Sequence, residues 1–150
     1  MQKIGFTEAV DSIIARDDRY DSEAYAFVRD ALDYTIKLRK KTSKDDARRH
    51  VSGQELLEGV RQYALKEFGP MVTTVFTYWG IRNCEDIGHI VFNLINEGIF
   101  GKSEHDTIED FKGGFDFRDA FVSPFLPPVP PPAIRLEKKI SDQPAGKVKL

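Results

Sequence analysis

Cysteine is all but missing from this chain of 150 residues, where Cys84 stands alone. A single thiol closes no internal disulfide and supplies no Cys-pair metal site, and a reducing compartment fits. Long apolar runs are missing as well. No stretch reaches the ~18 to 20 apolar residues that a membrane span requires, and the opening MQKIGFTEAVDSII holds no apolar run of signal-peptide length. A cytoplasmic protein is therefore expected. A Gly-rich phosphate loop, an H-E-x-x-H pair and a nucleophile elbow are absent too, and no local spacing gathers Ser, His and Asp. The adjacent carboxylates Asp17 and Asp18 diverge by about 100° on a helix and read as surface charges. The sequence thus leans away from an enzyme and points to no catalytic residue and no cofactor, although a site assembled from distant residues leaves no local signature.

What is present is an ordinary balance for one globular domain, 41% hydrophobic and 31% charged. The net charge of −2 hides a segregation. Between Lys37 and Arg49 seven basic residues stand against two acidic ones, and from Ala133 to Leu150 five stand against two. The rest of the chain holds ten basic and twenty acidic residues. An acidic body carries two basic appendages.

Helical spacing is the dominant pattern. Phe6, Val10, Ile13 and Ile14 share a face of a first helix from about Thr7, which DDRYDS stops. Ser22 reads as the cap of a second helix running to about Arg39, whose apolar residues cover more than one stripe and so predict contact from two sides. In VSGQEL, Ser52 and Glu55 have capping-box spacing, with Val51 and Leu56 at the staple positions. Such a cap is worth about 1 kcal/mol. The GP at 69 and 70 ends that helix and opens a short one with Met71, Val72, Val75, Phe76 and Trp79 as its expected apolar face and Gly80 as a left-handed stop. Asn83 then caps a fifth helix that Gly98 closes. Beyond it, IFGKSEHDTIEDFKGGFDF predicts a small β hairpin or wing, and FRDAFVSPFLPP a helical turn followed by an extended strip laying Phe121, Phe125 and Leu126 on the core. The predicted organisation is one α-rich domain over 1–126 with a flexible basic loop at 40–51, then a tail over 127–150 that is Pro-rich at its start and basic at its end. The fold class is mainly α, about five helices, with a helix-turn-helix or winged-helix-like C-terminal half.

That helix-turn-helix outline raises DNA reading, and its charge argues against it. On the fifth helix Ile87, Ile90, Val91, Leu94 and Ile95 mark the core side, leaving Glu85, Asp86, His89, Asn93, Asn96 and Glu97 as the outer arc with Phe92 at its margin. A recognition helix usually offers basic or amide side chains to base edges, and this arc has three carboxylates and no Lys or Arg. Sequence-specific DNA is therefore an unlikely partner, and no membrane partner is expected. Metal binding finds no geometry either. Cys84 and His89 lie about 140° apart on the helix, His89 is expected to pair with Glu85, and Asp106, Glu109 and Asp110 lack a calcium-loop pattern.

Two groups of candidate contact residues remain. Lys40, Lys41, Lys44, Arg48 and Arg49, with Arg135, Lys138 and Lys139 of the tail, suit phosphate-backbone contact with RNA. His89, Phe92 and the prolines Pro127, Pro128, Pro130, Pro131 and Pro132 suit contact with a protein, the prolines through PxxP spacing. Gly59 and Gly88 inside helices cost about 1 kcal/mol each relative to alanine. Close helix approach, with Trp79 or Tyr63 over the missing side chain, or a backbone contact with a ligand would compensate.

Across HVSGQELLEGVRQYALKEFGP, YWGIRNCEDIGHIVFNLI, FDFRDAF and PFLPP the chain resembles a bacterial family of small conserved hypothetical proteins of planctomycete and verrucomicrobial type. The resemblance runs from about Phe6 to Pro128. It implies a bacterial cytosolic protein and supplies no activity, cofactor or catalytic residue. KTSKDDARR and the tail after Pro128 look like additions to the shared pattern. The expectation is an interaction or adaptor protein, its acidic helical body docking a protein partner and its basic tail adding a contact, with an RNA- or ribosome-associated factor as the alternative.

Overall fold

Six α-helices follow one another in the computed structural model, which describes residues 5–42, 51–101 and 107–127. They are α1 (Phe6–Arg16), α2 (Ser22–Thr42), α3 (Gly53–Phe68), α4 (Val72–Trp79), α5 (Cys84–Asn96) and the single-turn α6 (Phe117–Phe121). Tighter 3₁₀ turns lie at Gly69–Met71, Ile108–Phe111 and Ser123–Phe125. No strand occurs among the described residues, so the architecture is mainly α. Within the stretch where the hairpin was expected, the described residues form the 3₁₀ turn at Ile108–Phe111, with the Thr107 amide donating to Asp110 Oδ2 at 2.9 Å. Residues 102–106 of that stretch, the loop over 43–50 and the tail from 128 onward lie outside the described residues.

Local chemistry explains where the helices start. Ser52 accepts the Glu55 amide at 3.1 Å while Glu55 accepts the Ser52 amide at 2.9 Å, the reciprocal box read from the sequence. Asn83 caps α5 through the Asp86 amide at 2.9 Å. The cap of α2 is Asp21 rather than Ser22, because the longer acidic side chain one residue earlier reaches the Glu23 amide at 2.9 Å.

As its wide apolar surface predicts, α2 is the central helix, touched by α1, α3, α4 and α5. Its tightest neighbour is α3, and Gly59 makes the approach possible. A Cβ there would lie 1.7 Å from Thr35 Oγ1 and 2.9 Å from Thr35 Cβ. Gly88 is occupied by Phe111, whose Cβ and Cγ would each be 2.8 Å from an added Cβ. Close packing thus accounts for both helical glycines, against Thr35 and Phe111 rather than Trp79 or Tyr63. An aromatic cluster fills the middle. Phe27 of α2 lies 5.4 to 5.7 Å from the rings of Tyr63, Phe68, Phe76 and Trp79, and Phe76 continues the contact to Phe117 and Phe121 of α6.

Two apolar assignments change. On α4 the buried face is Val72, Phe76 and Trp79, while Met71 is exposed and Val75 only partly covered. Phe121, the last residue of α6, enters the core, but beyond it a 3₁₀ turn replaces the extended strip and leaves Phe125 and Leu126 exposed.

Candidate functional site

The outer arc of α5 is closed by the connection between α1 and α2. Tyr20 donates its hydroxyl hydrogen to Asp86 Oδ1 at 2.6 Å and lies 3.2 Å from His89 Nδ1. Arg19 grips Asp17 through Nε at 2.9 Å and Nη2 at 2.8 Å, and the buried Asn93 amide donates to Asp17 and to the Tyr25 hydroxyl, both at 3.1 Å. The Arg19 guanidinium, helped by Asn93, holds the Asp17 carboxyl well below the usual carboxylate range. Burial, reinforced by Asp86, pushes the Tyr20 hydroxyl up. His89 faces Tyr20 and Asp86 instead of Glu85, which lies 3.7 Å from Lys112. Asn96 is the one exposed residue along α5, whereas a groove-reading helix presents a row of exposed side chains.

Cys84 is buried, and its thiol donates to the Phe115 carbonyl at 3.4 Å. Burial raises its pKa, the opposite of what a reactive thiolate needs. Among the described residues no three His, Cys, Asp or Glu side chains converge on a point that could hold a metal ion.

The surface of α4 is the feature that sets this protein apart. The fourteen residues Phe68 to Ile81 carry no charge, in a chain where 31% of residues do. With Val72, Phe76 and Trp79 turned inward, Met71, Thr74, Thr77 and Tyr78 face outward, Met71 53% and Tyr78 79% exposed. Met71, Val75 and Tyr78 recur at i, i+4 and i+7, so they align in one stripe. Interface cores are depleted in charge and enriched in Tyr and Met. Compared with protein-family models, with curated proteins and with solved structures, the chain matches none of them. The site therefore has to be read from its own chemistry. No helix among the described residues is long and apolar enough to cross a membrane.

Two further surfaces are built by tertiary contact. Tyr34, Lys37, Lys40 and Lys41 of α2 meet Lys66 of α3 around a shallow groove of about 370 Å³. Lys66 Nζ stands 5.3 Å from the centre of the Tyr34 ring. The sequence reading named Lys40 and Lys41, both exposed here, and missed Lys66, which lies 25 residues on. Lys44, Arg48, Arg49, Arg135, Lys138, Lys139, Pro128, Pro130, Pro131 and Pro132 lie outside the described residues. Pro127 is exposed, and His89 and Phe92 are half-buried, Phe92 edge-on to Phe111 at 6.3 Å.

The second surface is a pocket of about 270 Å³ between the C-terminal halves of α2 and α5, bounded by Leu32, Ile36, Val91 and Ile95, with Phe111 also on its wall.

Proposed function

We propose that the protein is a cytoplasmic, non-enzymatic interaction module that docks a protein partner through the uncharged outer face of α4, with the Pro-rich and basic tail after Pro127 as a second contact. The observation that carries this reading is Tyr78, 79% exposed within a run of fourteen residues that carry no charge. A lone exposed Tyr is ordinary, whereas one aligned with Met71 and Val75 offers a partner an apolar strip with a single polar tip. This moves the docking face from the polar arc of α5, which is engaged with Arg19 and Tyr20, to the neighbouring helix.

Photo-crosslinking in the native host tests it. With benzoylphenylalanine at position 78 or 71, one and the same protein is expected to be captured, and not with the probe at Thr7 on α1. In the purified pair, Tyr78→Ala is expected to weaken binding by roughly 30-fold, as a hot-spot residue does. Equal capture from Thr7, or an unchanged affinity of Tyr78→Ala, refutes the reading.

A second reading, an RNA-associated factor, is favoured by the lysine groove. Lys37, Lys40, Lys41 and Lys66 line one groove with Tyr34, and charge beside an aromatic ring is the combination that single-stranded nucleic acid uses. Polarisation of a labelled single-stranded RNA across a salt series is expected to lose roughly 0.7 of log–log slope per lysine changed to Gln. A slope unchanged in the quadruple variant excludes contact at this groove.

A further inference from the structure

We infer that the segment docking on α4 is basic and belongs to another protein, setting an apolar side chain against Tyr78 and a Lys or Arg in the groove beyond it; this rests on the docking reading of that helix. The groove lies between the C-terminal end of α4 and the α1–α2 connection and has a volume of about 420 Å³. Thr77, Tyr78 and Trp79 form one side, and Asp18 and Asp21 stand on the other. The uncharged face of the helix thus runs into a carboxylate rim.

The charge of that rim selects the partner. Asp18 is exposed and has no hydrogen bond or ion pair among the described residues. Asp21 accepts the Glu23 amide through Oδ1 at 2.9 Å, a cap that keeps the carboxylate's charge. Arg19 is the one cation on the wall among the described residues, and Asp17 already holds it through Nε at 2.9 Å and Nη2 at 2.8 Å. From Asp17 to Asp21 three carboxylates therefore stand against one guanidinium, and the run from Phe68 to Ile81 adds no cation. An acidic segment laid along Tyr78 would meet like charge at this rim, whereas a basic one would meet its opposite. A guanidinium suits both sides of the groove, because it stacks on a tyrosine ring and pairs with a carboxylate.

A random peptide library displayed on phage and selected on the full chain tests the inference, clones being kept when Tyr78→Ala loses them. The corresponding synthetic peptides are expected to carry net positive charge beside a large apolar residue. At low salt they should bind the double variant Asp18→Asn with Asp21→Asn roughly tenfold more weakly than wild type, two partly exposed ion pairs being lost, and the difference should close at high salt. Asp21→Asn retains a capping side-chain oxygen, so the circular dichroism of the double variant is expected to match wild type. Should it be destabilised, Asp18→Asn alone decides, with a loss of roughly threefold. Clones that need Tyr78 but are neutral or acidic, or that bind the double variant as tightly as wild type, overturn the inference and leave the docking reading standing. If Tyr78→Ala loses no clone, both fall. Peptide binding that emerges only when Arg135, Lys138 and Lys139 are changed to Gln would assign the groove to the chain's own tail, and a dimer in sedimentation that Tyr78→Ala disperses would assign the face to a second copy. Either result overturns the inference.

Discussion

Gly80→Ala is expected to lower the unfolding free energy by about 3 kcal/mol, through left-handed backbone strain of roughly 1 to 2 kcal/mol and overpacking of roughly 1 to 3 kcal/mol. Gly80 has φ +88°, and its amide closes α4 on the Phe76 and Thr77 carbonyls. A Cβ at this position would lie 2.4 Å from the Arg19 carbonyl oxygen. That oxygen belongs to backbone and has little room to move, because the adjoining Asp21 amide donates to the Trp79 carbonyl at 3.1 Å and Tyr20 is bonded to Asp86 at 2.6 Å. The substitution therefore strains the turn and pushes the α1–α2 connection off α5 together. Urea unfolding followed through Trp79, the only tryptophan and a near neighbour of the change, measures it. Gly101→Ala is the control, with nothing among the described residues within 4 Å of the added carbon and no left-handed φ. A loss below 1 kcal/mol for Gly80→Ala would contradict this account.

Phe76→Ala is expected to cost about 3 to 5 kcal/mol, the range for a buried aromatic ring removed from a well-packed core. Phe76 is 1% exposed, and its ring lies within 6.0 Å of Phe27, Trp79, Phe117 and Phe121. It therefore joins α2, α4 and α6, and α6 with its five residues has little stability apart from such contacts. Tyr78→Ala, two residues further along the same helix, is expected to stay within about 0.5 kcal/mol of wild type because its side chain faces solvent. The two variants measured side by side test the orientation of α4. Comparable losses would place Tyr78 in the fold rather than on a docking face.

The features legible from sequence share one property, which is short range. Ser52 with Glu55 and Asn83 with Asp86 are three residues apart, and Gly80 needs only its own φ. Their partners lie in the same few residues, so composition and spacing specify them. The inner faces of α1 and α5 follow for the same reason. Phase was harder on α4. Met71, Val72, Val75, Phe76 and Trp79 are all apolar, and no charged residue marks the outer side. Periodicity alone then leaves the rotation of the helix undetermined by nearly one position. Packing against Phe27 and Phe121 settled it, and Met71 and Tyr78 became the exposed strip.

By itself the sequence determined a mainly helical chain, the starts of α3 and α5, the stop of α4 and the separation of an acidic body from basic appendages. These are statements about neighbours along the chain and about totals. Tertiary structure alone decided what covers the polar arc of α5, since Asp17 and Tyr20 reach Asn93 and Asp86 across 76 and 66 residues. It also brought Lys66 to the lysines of α2 and set a pocket between α2 and α5. A helical projection says which side chains share a face and carries no information about the element that meets that face. A void has no residues of its own, so it exists only in the distance between helices.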